Sequence, residues 1–98
     1  MTRLVLAPRA LLDMERLTVF LKDIDANSAQ ETVPTLMRGL AILKEHPLIG
    51  RKVEAGLREL VIARGKSGYV ALYDFDVANG TAIVQAIRHQ REKGFEHE

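Results

Sequence analysis

The residues best suited to chemistry lie in the second half of the sequence, where arginines and a histidine flank short apolar runs. The cluster consists of Arg58, Arg64, Arg88, His89 and Arg91, with Tyr69 and Tyr73 close by in the sequence. A guanidinium group binds phosphate or carboxylate through a planar fork of donors. The cluster is therefore suited to an RNA backbone or to an acidic protein segment. An ordinary solvated surface would have the same composition.

His89 is the member of the cluster whose side chain suits proton transfer near neutral pH. The alternative interpretation is a polar residue at a strand end with no catalytic part. Arg88 and His89 should point to opposite faces of the sheet, because side chains alternate along a strand. Tyr69 and Tyr73 are interpreted either as core residues or as stacking platforms.

Other familiar catalytic arrangements are missing from the sequence. The glycines are scattered, no Gly-x-Ser-x-Gly sequence occurs, and His46, His89 and His97 are not spaced like metal ligands. We therefore expect no metal and no cofactor.

Composition limits the class of protein. The chain has 98 residues, no cysteine and a formal net charge of +1. This length predicts one domain over residues 1–98, and the lack of thiols suits a reducing cytoplasm. No apolar run approaches the roughly 18 residues of a membrane span, and residues 1–8 lack the apolar region of a signal peptide. We expect no contact with a membrane.

The first half of the sequence predicts a strand followed by two helices. Residues 2–7 are rich in leucine and valine, and residues 9–24 place apolar side chains at helical spacing. Residues 28–31 have the form of a capping box, which would begin a second helix that runs to residue 45. Pro34 would bend this helix or restart it.

The second half predicts three strands, at residues 58–64, 69–75 and 81–89, preceded by an ordered loop over 48–56. The Asn79-Gly80 pair indicates a hairpin between the last two strands. The last strand is apolar on both faces, which predicts an interior position in the sheet. The fold class is α+β with the order β-α-α-β-β-β, a helical hairpin packed on a small, mostly antiparallel sheet.

Several short motifs in this order resemble the RelE/ParE superfamily, the toxins of bacterial type II toxin–antitoxin pairs. They are Ala7-Pro8-Arg9-Ala10, His46-Pro47-Leu48-Ile49-Gly50-Arg51, Arg58-Glu59-Leu60, Gly68-Tyr69-Val70-Ala71-Leu72-Tyr73 and Ile87-Arg88-His89-Gln90-Arg91-Glu92. The resemblance runs over nearly the whole chain. It implies either of two activities: RelE-like toxins cleave mRNA on the ribosome, and ParE-like toxins inhibit DNA gyrase.

The chain departs from the RelE pattern at the positions that carry nuclease chemistry. Val70 stands where the resemblance implies an arginine, and Leu60 and Ile62 stand roughly where it implies basic residues. Phe95 is the nearest match to a C-terminal tyrosine and has no hydroxyl group to move a proton. Without these groups, activation of a ribose 2′-hydroxyl and stabilisation of the developing charge are largely lost. We therefore predict no catalytic residues.

Arg91 is the best match to a surviving RelE-type arginine, and Arg64 matches a more peripheral one. The missing nuclease residues, together with the more ParE-like form of residues 46–51 and 88–92, nevertheless make the resemblance favour a ParE-like, plasmid-stabilising toxin that binds gyrase. A RelE-like ribonuclease and an inactive relative that only binds a partner remain as alternatives.

The resemblance also implies a cognate antitoxin, ParD-like or similar, whose C-terminal arm folds along the toxin and whose other half binds DNA. The toxin would then contact DNA only indirectly. An amphipathic arm needs an exposed apolar groove beside the helical hairpin. The candidates to line it are Leu11, Leu12, Val19, Phe20 and Ile42. Alternatively, these residues would widen the apolar face by which the two helices pack against the core.

Overall fold

The computed structural model describes residues 1–63, 68–90 and 92. Its elements are β1 (Arg3–Leu6), α1 (Pro8–Lys22), α2 (Ala26–Leu40), β2 (Arg51–Lys52), β3 (Arg58–Ile62), β4 (Tyr69–Asp76) and β5 (Thr81–His89). A 3₁₀ turn over Ala41–Lys44 continues from α2. The predicted order is confirmed, with one addition. The short strand β2 lies inside the segment 48–56 that was predicted as loop.

The five strands form one sheet in the order β1-β5-β4-β3-β2. The β1–β5 pair is parallel, and the other three pairs are antiparallel. β5 therefore lies between β1 and β4, as its apolar composition on both faces predicts. Both helices pack on one face of this sheet, α1 mainly over β5 and α2 over β3. Among the residues described, no helix has the length and apolar character needed to cross a bilayer.

α1 begins at Pro8, where a proline fits because the first helical N–H groups have no partner within the helix. Its core face consists of Ala10, Met14, Leu17 and Leu21, as their spacing predicts. The helix ends at Lys22, two residues before the predicted end, and Ile24 lies outside it with 49% of its surface exposed.

The predicted start of the second helix was wrong. α2 begins at Ala26, and Asp25 caps it by accepting a hydrogen bond from the Asn27 N–H at 3.1 Å. The predicted capping box over 28–31 therefore lies inside the helix, because an adequate cap is already present at Asp25. α2 is continuous through Pro34 and ends at Leu40.

A β-bulge in β5 changes which side chains face the helices. Leu72 pairs with Ala86 but Tyr73 pairs with Val84, so Gln85 has no partner on β4. The extra residue shifts the alternation by one. Before it, Ala82 and Val84 lie in the core; after it, Ile87 and His89 are buried.

Candidate functional site

The structure separates the described members of the predicted basic cluster. Arg58 pairs with Tyr73 on β4, whereas His89 pairs with Tyr69, which is also the partner of Ile62. Arg58 therefore lies four residues along β3 from the level of His89, or about 13 Å. Arg64 and Arg91 lie outside the described residues. Arg58 is therefore remote from Arg88 and His89, and these three residues do not form one cluster.

His89 is a core residue. Its surface is 0% exposed, and its ring lies edge-on to Tyr69 and tilted against Phe20, at centroid distances of 5.3 and 5.7 Å. Arg88 is half-buried on the opposite face, as the alternation predicts. Because the β5 bulge directs His89 beneath α1, its side chain is sealed from any substrate on the outer surface.

Arg58 and Tyr73 both bind the main chain of the loop over residues 46–50. The Arg58 Nη1 donates to the carbonyl oxygens of Leu48 and Gly50 at 3.0 and 2.8 Å. The Tyr73 hydroxyl donates to the Pro47 carbonyl at 2.7 Å and accepts from the Gly50 N–H at 2.9 Å. A Cβ at position 50 would lie 2.6 Å from the Tyr73 ring, so only glycine permits this approach. The two side chains therefore hold the 46–50 loop in one conformation.

The 46–50 loop presents apolar side chains to solvent. Leu48 is 56% exposed and Ile49 is 51% exposed. The loop is anchored by the main-chain bonds to Arg58 and Tyr73 and not by its apolar side chains. A large apolar residue on a fixed loop is a common property of protein-binding surfaces.

Two depressions flank Leu48 and Phe75. The first, which we call the loop cleft, has a volume of about 310 Å³. Its lining residues are Leu48, Lys52, Val53, Gly56, Leu57, Arg58, Phe75 and Val77. The second has a volume of about 370 Å³ and is lined by His46, Pro47, Leu48, Ile49 and Phe75. Sequence reasoning missed this surface. An aliphatic residue such as Leu48 in a loop between a proline and a glycine could have indicated an exposed apolar side chain there.

The predicted antitoxin-binding residues lie away from the loop cleft. On α1, Leu11, Leu12 and Val19 are 51%, 63% and 63% exposed, and Ile42 in the 3₁₀ turn is 39% exposed. Phe20 differs, because it is partly buried against the core and covers His89.

The positions at which the RelE resemblance implies basic residues are aliphatic and largely buried. Ile62 and Val70 are 4% and 7% exposed, and Leu60 packs against the core. No group of three histidine or carboxylate side chains that could hold a metal ion occurs in the described part of the chain.

Sequence reasoning also missed a polar network between α1 and the far end of β5. Asp13 is only 4% exposed and accepts a hydrogen bond from the Ile87 N–H at 2.8 Å. Arg16 donates to the Ile87 carbonyl at 3.1 Å and to Asp13 at 3.2 Å, and it forms an ion pair with Glu92. β1 pairs with β5 only as far as Val84, so these α1 side chains bond to the edge of β5 beyond it. The sequence feature that could have predicted this network is the carboxylate at position 13, because it lies within the apolar stripe of α1.

Two solved structures share this fold. One is described as the chromosomal ParDE toxin–antitoxin system from P. aeruginosa, with a TM-score of 0.76, 17% identity, and coverage of 91% of this chain and 96% of that one. The other is the intact E. coli RelBE toxin–antitoxin complex, with a TM-score of 0.61, 19% identity and the same coverage, 91% and 96%. The helical hairpin on a mostly antiparallel sheet is thus the fold of ParE and RelE toxins.

The chain belongs to the ParE toxin family of type II toxin–antitoxin systems, parDE, whose family model matches residues 4–94. It is also similar to two curated proteins of Caulobacter vibrioides. It is 28% identical to Toxin RelE3 over 88 residues, which cover 90% of this chain and 94% of that protein. It is 40% identical to Toxin RelE1 over 65 residues, which cover 66% and 70%. The predicted membership of the RelE/ParE superfamily is confirmed.

Proposed function

We propose that this toxin is ParE-like: it inhibits DNA gyrase by binding to it in the cytoplasm and is neutralised by a cognate antitoxin, ParD-like or similar. The observation that carries the proposal is the aliphatic character of Leu60, Ile62 and Val70, together with the burial of His89. The higher TM-score to the ParDE structure accords with it.

Cleavage of RNA requires a base near the 2′-hydroxyl, an acid for the leaving oxygen and cations near the developing charge. The side chains at positions 60, 62 and 70 supply none of these groups. Arg58 bonds to the 46–50 loop, and the Tyr73 hydroxyl serves the same loop. The described residues therefore favour an activity that rests on binding.

The antitoxin is proposed to cover the apolar surface of α1 formed by Leu11, Leu12 and Val19, with Ile42 at its margin. These side chains are exposed, and such a surface accepts the apolar face of an amphipathic helix. Both structural neighbours are toxin–antitoxin complexes by their descriptions. The toxin would reach DNA only through this antitoxin, as in a plasmid-stabilising pair.

A RelE-like ribonuclease is the second candidate, because both curated relatives are named RelE toxins. In that case Arg91 would be needed for mRNA cleavage. The third possibility is an inactive relative that binds a partner without affecting growth.

One experiment separates the three. The chain is expressed alone in a bacterium, and growth, DNA breaks linked to gyrase and mRNA 5′ ends are measured. The proposal expects growth arrest with DNA breaks and intact mRNA, relieved by the product of the adjacent gene. Codon-linked mRNA cuts that disappear in Arg91→Ala would show the ribonuclease, and unaffected growth would show the inactive relative.

A further inference from the structure

The loop cleft has apolar walls, and the wall formed by Leu48 is held in place. Leu48 is held by the bonds from Arg58 to its own carbonyl and to that of Gly50. Val77, on the β4–β5 turn, is 78% exposed. A surface held in its binding conformation loses little conformational entropy when a partner arrives. These walls are therefore suited to the side chain of an aliphatic residue.

Two cations lie directly opposite each other at the cleft. Lys52 on β2 and Arg58 on β3 are partners in the strand register, and both line the cleft. Like charges placed opposite on neighbouring strands destabilise a sheet. None of the described residues that line the cleft is a carboxylate. The structure thus retains an unfavourable pair at the place where an acidic partner would neutralise it.

The next pair of residues along β2 and β3 has opposite charges instead of like charges. Arg51 lies opposite Glu59, and their side chains form an ion pair at 2.6 Å. The larger depression beside it, about 500 Å³, contains both Arg51 and Glu54 among its lining residues. Its charges are therefore already balanced, so that of the two β2–β3 pairs only Lys52 and Arg58 have a cationic excess.

We propose that the loop cleft binds a segment of the toxin's protein target in which an aliphatic side chain adjoins a carboxylate. This inference rests on the proposed function, since it assigns the surface that meets the target. A volume of about 310 Å³ is small for a ligand site and suits one or two side chains. A nucleic acid fits less well, because Leu48, Leu57, Phe75 and Val77 offer no partner for phosphate groups.

The first test is a titration of the isotope-labelled toxin with blocked tetrapeptides, followed by amide chemical shifts. The probes are acetyl-Ala-Leu-Glu-Ala-amide, the matched Gln peptide, and a hexauridylate. We expect the Glu peptide to shift the amides of Leu48, Lys52 and Phe75, and to bind about two- to fivefold more tightly than the Gln peptide. Equal binding of both peptides, shifts confined to α1, or preference for the hexauridylate would overturn the proposal.

The second test reverses one charge of the pair. Lys52→Glu should abolish the preference for the Glu peptide and raise the Tm by roughly 1 to 6 °C, because it places a carboxylate opposite Arg58. The matched control is Arg3→Glu, which makes the same change of net charge at an exposed residue of β1, at the opposite edge of the sheet. It should retain the peptide preference. A lower Tm in Lys52→Glu, or an unchanged preference, would contradict the inference.

Growth assays distinguish this inference from the proposed function. If the unaltered toxin arrests growth through gyrase and Lys52→Glu does not, both are supported. If the unaltered toxin cuts mRNA instead, the gyrase proposal fails while the peptide titration still decides what the cleft binds. Dimerisation of the toxin through Leu48, detected by sedimentation and removed by Leu48→Glu, would show that the cleft is an interface between two copies and overturn the inference.

Discussion

Arg58 and Tyr73 illustrate how the partners of a side chain determine its part in the molecule. Both have the chemistry of an active-site residue, yet their polar atoms bond to main-chain groups of the 46–50 loop. The two side chains therefore fix the position of the loop and of Leu48 within it. A cationic or hydroxyl side chain can be assigned to a functional site only when the groups to which it bonds are known.

Tyr73→Phe should destabilise the protein by about 2 to 4 kcal/mol, because the buried Gly50 N–H and the Pro47 carbonyl both lose their partner. Tyr69→Phe is the matched control. Its hydroxyl reaches the Thr32 oxygen only at 3.5 Å, so the cost should stay below about 1.5 kcal/mol. Urea unfolding measures both, and equal costs would argue against the role of Tyr73 in the loop.

Asp76 gives the β4–β5 turn a dependence on pH. A hydrogen bond from the Asn79 side chain, followed by that from the Asn79 N–H, lowers the pKa of its carboxyl group below the ordinary 3.8. The stability from these bonds is present above the ordinary pKa and is lost as pH falls through the lowered one. Asn79→Ala should raise the pKa of Asp76 toward 3.8 in an NMR titration. An unchanged midpoint would show that the Asn79 side chain has little effect.

At the scale of secondary structure, side chains of α1 supply part of β5 with the hydrogen bonds that a neighbouring strand would otherwise make. β1 ends at Leu6, opposite Val84, and beyond this point Asp13 and Arg16 bond to the main chain of Ile87. Buried main-chain groups require such partners. The helix therefore contributes directional bonds to the sheet as well as an apolar face.

Asp13→Ala should destabilise the protein by about 3 kcal/mol, since it leaves the Ile87 N–H without its acceptor and Arg16 without a partly buried counterion. Glu15→Ala is the control, because Glu15 is exposed on the same helix and should change stability by no more than about 0.5 kcal/mol. Thermal unfolding followed by circular dichroism checks both. A cost for Asp13→Ala as small as that of the control would exclude this network as a source of stability.

The elements could largely be predicted from the sequence, because their periodicity reflects burial on one or both faces. The core face of α1 and the interior position of β5 are examples. The start of α2 was missed because Asp25 caps it before the apparent capping box. The strand β2 is too short for periodicity, and it exists only through its pairing with β3.

The site was less predictable, since its character arises from contacts between distant residues. The exposure of Leu48 depends on bonds from Arg58 and Tyr73, which lie ten and more residues away in the sequence. Likewise, the burial of His89 depends on a bulge four residues earlier. No local pattern in the sequence contains this information.

Over the whole molecule, two apolar surfaces are built from different elements. The first lies on α1, with Leu12 and Val19 each 63% exposed, and the second is the loop cleft around Leu48. No described residue of α1 lines the cleft. If the antitoxin covers α1 and the target meets the loop cleft, as proposed above, the toxin holds both at separate places and neutralisation does not require direct competition.

Leu12→Glu and Leu48→Glu should separate these two activities. Leu12→Glu is expected to weaken antitoxin binding about tenfold or more while growth arrest persists. Leu48→Glu should abolish growth arrest and leave antitoxin binding within about twofold. Calorimetry with the product of the adjacent gene and growth curves measure the two effects. Loss of both activities in either variant, with folding intact, would mean that the surfaces act as one.

The unpaired Gln85 has a consequence for how this chain tolerates changes of length. Removing that residue would let β5 pair with β4 without interruption, and residues 86–89 would keep both their partners on β4 and their faces of the sheet. Ile87 and His89 would stay beneath α1, and the half-buried Arg88 would stay on the opposite face. A deletion scan of β5 should therefore find position 85 tolerant, because Gln85 is only half-buried and the regular alternation is restored without it.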